Sequence, residues 1–555
     1  MPSTLSGLVS AVVSGLLFAA ALPFVLTGEG EPADPGGWLE LLAFVALVPL
    51  LVEVAWSNLR RALALGLVAG CVMFGASVYW IDLAVMRFGG FGLAKALPLL
   101  LGVVVYCALY WAAALGAVRT LRQRLRWPLY LALPLAWTAS ELARNHLLTG
   151  NPWCSLGHTL SRTPSLVQIA SLGGVYLVAA LLALVNGAVA EALIAWRRRP
   201  GALSRGRVLL GLGLALGGIT GAAIYSAAWR AHLEEAAQGA PRLKVALVQG
   251  NIDQRIRNRE EERRAFVLKA YLPLTESLAR EGAQLVIWPE AAWPGPFEEV
   301  DFQARPELRR LLRAGSAHYL LSGTTRHATE RGPRRRNVAW LVGPDLSLLG
   351  THEKSRLLPF GEYVPLEGLL PLRQVVPGLG SFVPGAPIQP LRLPLEGGGE
   401  AGLGQLICYE AIFPEVSRGL VRDGADLLVN TSNDAWYGAS SAPHQFLRIV
   451  TLRAVENGRF LVRAANTGVS AVVDPAGVIL QQTRLGLAAD EGDRIEAAGK
   501  LPPDHLVAEV PLLSIRTPYL VTGDLFAWLC VLGTLVGLGR AAAQARRGRT
   551  GRGVL

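Results

Sequence analysis

Three short stretches bring together residue types that can work on a carbonyl carbon. In GQLICYEAIFPE (404–415) an apolar run ends in Cys408, with Glu410 two residues on. WPEAAWP (288–294) sets Glu290 between two tryptophans and two prolines, and THEKSRLLPFGEYVP (351–365) holds Lys354 and Glu362. A thiol attacks as its thiolate, and its free pKa of about 8.5 falls beside a cation. A carboxylate in apolar, restricted surroundings has a raised pKa and becomes a usable general base. A lysine ammonium would favour the thiolate and later the oxyanion on an attacked carbonyl. Each residue also has a plainer reading: Cys408 as a small buried apolar residue, Glu290 as a helix cap or loop residue, Lys354 and Glu362 as surface charges.

Residue usage bears on those plainer readings. The chain has 53 Lys and Arg residues, of which only Lys95, Lys244, Lys269, Lys354 and Lys500 are lysines, so arginine is its default cation. A lysine at 354 points to a place where a compact ammonium on a flexible stem is needed instead of a planar guanidinium. Cys71, Cys107 and Cys530 lie in apolar spans and Cys154 in a short loop, which leaves Cys408 without a disulfide candidate in its own region.

The elements that position these residues alternate in type. Strand-like runs cover 243–251, 283–290, 319–325, 337–344, 402–410, 425–434, 460–468 and 470–479, with helical periodicity at 259–280, 306–315, 413–422 and 444–457. This is the rhythm of an α/β layered domain. Apolar runs that finish in polar residues are buried strands whose carboxyl ends present chemistry, and the marked ends are Glu290, the Cys408/Glu410 pair and the Asn433/Asp434 pair.

The rest of the chain is unlike a soluble protein. Of 555 residues 52% are hydrophobic and only 17% charged. A helix crosses the hydrocarbon core with about 20 apolar residues, and candidate stretches lie at 5–26, 37–56, 62–83, 93–118, 127–143, 172–195, 208–228 and 519–539. Eight transmembrane helices are therefore expected, with the division 1–228 for seven of them, 229–518 for the α/β domain, and 519–555 for the eighth helix and a basic tail. No Lys or Arg precedes the first span and a second follows at once, so it is read as a span and not as a cleaved signal peptide. Basic loops stay cytoplasmic. Arg60 and Arg61, the cluster from Arg119 to Arg126, the cluster from Arg197 to Arg207 and the tail from Arg540 onward alternate with connections poor in arginine. Both termini are expected in the cytoplasm and the α/β domain outside it. The net charge of +11 is mostly this topological signal, so nucleic acid is not an expected partner.

WPE, the lysine of HEKSRLLPFGEYVP, CYE with its following FPE, and NTSNDAWYG resemble the nitrilase superfamily. Its members use a Glu, Lys and Cys triad in an α-β-β-α sandwich. Seven spans before such a domain and one after it, with VALVQGN, FGEYVPLE, RAANTGVSAV and TPYLVTGD, narrow the resemblance to the apolipoprotein N-acyltransferase family of the bacterial inner membrane. The resemblance implies an acyltransferase working in two steps without a cofactor or metal. A phospholipid, typically phosphatidylethanolamine, gives an acyl chain to Cys408 as a thioester, and the α-amino group of a diacylglyceryl-modified apolipoprotein takes it over. Glu290 is then the base, Lys354 the stabilising cation and Cys408 the nucleophile. Glu362 matches a further glutamate of the family, Tyr409 and Glu410 match residues beside the nucleophile, and Asn433 lies in the SNDAWYG motif. Trp153, in NPW, resembles a segment at the membrane mouth of the site. Where the family often has a tryptophan after VQGNIDQ, this chain has Asn258.

Two other readings stand beside that one: a membrane-anchored amidase or nitrilase-like hydrolase of a small substrate, for which one anchor would suffice, and a transporter or receptor whose outer domain only binds. Paired ionisable residues deep in the spans would favour the last, but Glu53 and Glu191 lie near cytoplasmic ends and Asp82 near an outside end, which is weak support. The stretch 366–394, apolar and rich in proline and glycine, is read either as a loop that dips into the membrane interface or as an ordinary ordered surface loop, and 29 residues without clear periodicity are uncommon unless functional. His146, His158, His352 and His444 lack metal-ligand spacing, GxxxxGK[ST] does not occur, and NTS at Asn430 is not read as a glycosylation site. Nothing marks a dimer surface, and a monomer is expected.

Overall fold

The computed structural model describes residues 4–25, 37–89, 92–197, 203–252, 260–293, 302, 306–329, 332–365, 382–485 and 502–550. The Asn258 position and residues 366–381 of the 366–394 stretch lie outside the described residues. The chain divides into two compact units. One runs from the first helix to Arg230 and resumes at Val521, and the other is centred on Ala231–Leu520.

The first unit is helical. Leu59–Ser77, Leu93–Leu125, Ala170–Trp196, Arg205–Gln238 and the C-terminal helix from Leu525 are long and apolar enough to cross a membrane. Thr4–Ala20 is a shorter apolar helix, and Leu129–His146 is a further helix of 18 residues. Close approach of backbones holds the bundle together, as is usual where lipid replaces water. A Cβ on Gly66 or Gly70 would sit 2.9 Å or 2.8 Å from the Cα atoms of Ala112 and Ala108 on the neighbouring helix. The expected span at 37–56 is broken: it forms a 3₁₀ segment, Trp38–Phe44, and then a short helix, Val48–Val54. The break is built from polar contacts. Glu40 accepts hydrogen bonds from the Arg162 amide and the Thr163 hydroxyl, both at 3.2 Å, and Asn186 accepts one from the Leu47 amide at 2.8 Å. Glu191 pairs with Arg122 and accepts the Leu129 amide at 2.8 Å, so it fastens the start of a helix. Glu53 lies 3.8 Å from Arg61. Both pairs sit near helix ends and not deep in the spans, so they give the transporter reading little support.

The second unit is built on two six-stranded sheets. In the first the order is β12 (Asp504–Pro511), β1 (Arg242–Gln249), β2 (Leu285–Ile287), β3 (His318–Thr329), β4 (Gly332–Val342) and β5 (Leu348–Glu353). In the second it is β11 (Ile479–Gln482), β10 (Ala471–Val473), β9 (Phe460–Ala465), β8 (Leu427–Ser432), β7 (Glu400–Ile407) and β6 (Leu391–Pro394). Each has a parallel centre, β1-β2-β3 and β7-β8-β9, with antiparallel strands outside it. The sheets face each other through β1 and β9 and through β4 and β7. Helix Glu260–Arg280 covers the first sheet, and Pro414–Arg422 and Ala442–Asn457 cover the second. The result is an α-β-β-α sandwich.

Strand and helix positions largely follow the hydropathy pattern. The run at 470–479 is instead two strands around a turn, because Asp474 Oδ1 accepts from the Ala476 and Val478 amides and closes the chain back on itself. Strands β5, β6 and β12 have no counterpart among the expected runs. They are outer strands, exposed in part and only weakly apolar.

Candidate active site

Three strand ends and one loop meet. Glu290 follows β2, Lys354 follows β5, Cys408 follows β7 and Glu362 sits in the loop after β5. Lys354 Nζ donates to Glu290 Oε1 at 3.1 Å and to Glu362 Oε1 at 2.8 Å. All three are buried or nearly so, Lys354 to 2% exposure. Asn337, on β4, donates to Glu290 Oε1 at 2.8 Å, the Asn433 amide donates to Glu290 Oε2 at 3.1 Å, and the Leu358 amide donates to Glu362 Oε2 at 2.8 Å.

The backbone is strained where these groups sit. Cys408 has φ 49°, Ala291, next to Glu290, has 48°, and Phe360, two residues before Glu362, has 61°. Non-glycine residues avoid this left-handed region, and such strain persists only where surrounding structure imposes it. At Cys408 the imposing group is Glu410, which is fully buried. Its Oε2 accepts the Ile407 amide at 2.8 Å and lies 3.1 Å from His352 Nε2. Its Oε1 accepts the Ser355 amide at 2.6 Å, the Ser355 hydroxyl at 2.8 Å and the Arg356 amide at 3.4 Å. One carboxylate thus ties the residue before the thiol to the residue after the lysine. Burial alone would raise the Glu410 pKa, but His352 and the backbone donors outweigh it and hold the group below the usual 4.5.

Burial and neighbouring charges act on the thiol in opposite directions. Burial pushes the Cys408 thiol well up, Glu290 pushes it further, and Lys354 lowers it by less. Lys354 thus acts in the direction expected of it, toward the thiolate, but burial and Glu290 outweigh it. The balance of these effects favours the protonated thiol. Lys354 itself stays charged: burial works against its ammonium, and Glu290 and Glu362 together more than reverse that.

The two tryptophans do not supply the apolar enclosure expected of Glu290. Trp288 points to the core under helix Glu260–Arg280, with its Nε1 donating to Thr275 at 2.9 Å and its ring 4.9 Å from that of Tyr271. Trp293 packs beside Trp288 at 6.4 Å. Glu290 lies in a polar cradle instead. Asn433 offers its amide to Glu290, while its side-chain oxygen accepts from Asn466 at 3.0 Å. Tyr409 turns to Phe413, ring edge to ring face at 5.2 Å. Trp153 belongs to the helical unit, where its ring lies 5.2 Å from Trp80 and its carbonyl accepts from Arg144 at 2.6 Å.

Sequence reasoning missed Asn337, Asn466 and Ser432. The first is the opening residue of the apolar run NVAWLV, the second sits in AANTG and the third in VNTSND. A polar side chain beginning or ending a buried strand was the available signal.

A cysteine on a strained turn thus lies with a buried carboxylate and a buried ammonium, residue types that can support thiol chemistry on a carbonyl. The family description "Apolipoprotein N-acyltransferase N-terminal domain" matches residues 14–188, and "Carbon-nitrogen hydrolase" matches residues 244–487. Among curated relatives, the apolipoprotein N-acyltransferase of Geobacter metallireducens is 36% identical over 95% of this chain and 93% of its own. That of Gloeobacter violaceus is 33% identical over 94% of each. An amidase of the nitrilase superfamily from Nesterenkonia is 23% identical, covering 51% of this chain and 95% of its own at a TM-score of 0.32. The chain belongs to the apolipoprotein N-acyltransferase family. It is a multi-pass membrane protein with an acyltransferase domain of the carbon-nitrogen hydrolase type.

Proposed function

We propose that the chain moves a fatty acyl chain from a phospholipid, with phosphatidylethanolamine as the leading donor, to the α-amino group of a diacylglyceryl-modified apolipoprotein. The observation that carries this is the buried Glu290–Lys354–Glu362 cluster beside a thiol on a strained strand end, in a chain similar along nearly its whole length to named N-acyltransferases. Glu290 takes the Cys408 proton as the sulfur attacks the ester carbonyl, and Lys354 steadies the oxyanion. The protonated Glu290 returns that proton to the departing lysophospholipid oxygen, leaving a thioester. The amine of the apolipoprotein then attacks, Glu290 takes its proton, and Cys408 leaves as a thiolate and is reprotonated. With an α-amino pKa near about 7.7 to 8.0, a sizeable minority of the acceptor is already neutral at pH 7.

Membrane attachment fits the substrate. Each acyl CH₂ moved from lipid to water costs about 0.8 kcal/mol, so the site must work at the bilayer. The arginine alternation supports eight crossings, with the short and broken segments at 5–26, 37–56 and 127–143 counted among them. It also supports cytoplasmic termini and a catalytic domain, residues 229–518, on the outer face of the bacterial inner membrane.

The test is a transfer assay with the full chain in phosphatidylethanolamine vesicles and a diacylglyceryl-cysteine peptide. The peptide is expected to gain one amide-linked acyl chain for each lysophospholipid formed. Vesicles of phosphatidylglycerol or phosphatidylcholine read the head-group preference. Release of free fatty acid with the peptide unmodified would transfer the assignment to a hydrolase.

A further inference from the structure

Beside the thiol lies a second polar chain that the mechanism above leaves unused. Ser432, the last residue of β8, has its hydroxyl 3.7 Å from Cys408 Sγ and 2.7 Å from Asp434 Oδ1, in donor geometry to each. Asp434 Oδ2 accepts from Arg463 at 2.7 Å. Arg463 also donates to Asn430 Oδ1 and, at 3.3 Å, to the Val469 carbonyl, and its guanidinium lies 4.3 Å from the centre of the Phe446 ring. Asn430 donates to the Leu406 carbonyl, two residues before the thiol, at 2.9 Å. Ser432, Asp434, Arg463 and Asn430 are all fully buried. The fit is close: a Cβ on Gly468 would run into the Asp434 carboxylate.

A buried aspartate and arginine are costly to desolvate, and apolar residues of similar volume generally serve stability as well or better. Their position supplies a reason for keeping them. A hydroxyl has one proton, so Ser432 can satisfy Asp434 or the sulfur at one moment, not both. We propose that Ser432 is a switching donor: its proton rests on Asp434 while Cys408 is a thiol, and turns to Sγ whenever the thiolate forms. Arg463 then continues to hold the Asp434 carboxylate through its other oxygen, so the switch leaves no buried charge unpaired. Ser432 touches the reacting atom; Asp434 and Arg463 act through it and are positioning residues. This inference rests on Cys408 being the nucleophile.

A thiolate arises twice in each cycle, as attacker on the ester and as leaving group from the thioester. Loss of the donor should slow both half-reactions. The test uses the full chain in detergent micelles and measures iodoacetamide alkylation on the Cys408 peptide by mass spectrometry from pH 7 upward, for wild type, Ser432→Ala and Ser432→Thr. For Ser432→Ala the rate is expected to fall about ten- to a hundredfold at each pH, the range for a hydrogen bond to a charged partner. Ser432→Thr, which keeps the hydroxyl, is expected to recover most of it, and acyl loading and acyl release should drop together in the alanine variant alone. A variant that merely loosens the fold would expose the buried thiol and alkylate faster. Alkylation of Ser432→Ala at or above the wild-type rate overturns the proposal, as does a threonine variant as slow as the alanine one. If Cys408→Ala still transfers acyl chains, the nucleophile assignment fails instead.

Discussion

Glu290→Gln is expected to abolish acyl loading of Cys408 while leaving the fold in place. Glutamine keeps the shape of the side chain, and its one oxygen, placed where Oε1 is, can still accept from Asn337, now at 2.8 Å, while the Asn433 amide loses the Oε2 acceptor it now meets at 3.1 Å. What it cannot do is take a proton. Burial and the neighbouring carboxylates push the thiol well up, which favours its protonated form. Loss of a rate-assisting base costs about 10²- to 10⁴-fold; in the proposed mechanism Glu290 also generates the nucleophile, so the upper end is expected. Single-turnover loading from phosphatidylethanolamine, set against the thermal unfolding midpoint, checks it. Loading within about tenfold of wild type would remove Glu290 from the role of base.

Glu410→Ala should be damaging for a different reason. The side chain is not placed to meet substrate; it accepts from Ile407, Ser355, Arg356 and His352 in a site closed to solvent. Removing a partner from a buried charged network costs about 3 to 5 kcal/mol, and here it also frees the turns that hold Cys408 and Lys354. A displacement of about 1 Å in such a site costs about 10²-fold in rate. The variant should therefore lose both its unfolding midpoint and its activity, whereas Glu290→Gln loses activity alone. The pH dependence has a definite sign. The folded Glu410 pKa is depressed, so its stabilisation is fully present above the unfolded value near 4.5 and is lost as pH falls through the lower folded value. Unfolding midpoints of wild type and Glu410→Ala, recorded from pH 7 down to pH 3, should converge toward the acid end. A gap that stays constant across that range would show that the carboxylate is not what stabilises the turn.

Residues that end apolar runs were the readable part of the site. Glu290 and Cys408 stand out because strand and function abut in sequence, and Lys354 because this chain otherwise prefers arginine. Glu362 was readable only through its place in the THEKSRLLPFGEYVP stretch and the family resemblance. The scaffolding was not readable, because it depends on register between strands. Asn337 meets Glu290 only when β4 pairs with β5 so that Lys354 lies opposite the Asn337 carbonyl, at 2.8 Å. Glu410, two residues from the nucleophile, looked like part of the reacting surface, yet the 3₁₀ turn Cys408–Ile412 folds it back under the thiol. The sign of the thiol's shift was equally hidden, since it depends on burial and Glu290 outweighing Lys354.

In the membrane part, hydropathy located the helices but missed the break inside 37–56. Leucine and valine read the same in a broken segment as in a straight helix. What breaks it are contacts from Arg162, Thr163 and Asn186, more than 100 residues away. A short glutamate-bearing apolar run is the one hint the sequence offers, and Glu40 and Glu53 both lie in that stretch.

The most direct test of the central claim is intact-protein and peptide mass spectrometry after incubation with phosphatidylethanolamine, with wild type and Cys408→Ala side by side. The account predicts one acyl-sized adduct on the Cys408 peptide that hydroxylamine releases, that passes to a diacylglyceryl-cysteine peptide as an amide, and that Cys408→Ala lacks. An adduct on another residue, or transfer to the peptide that continues in Cys408→Ala, would contradict it.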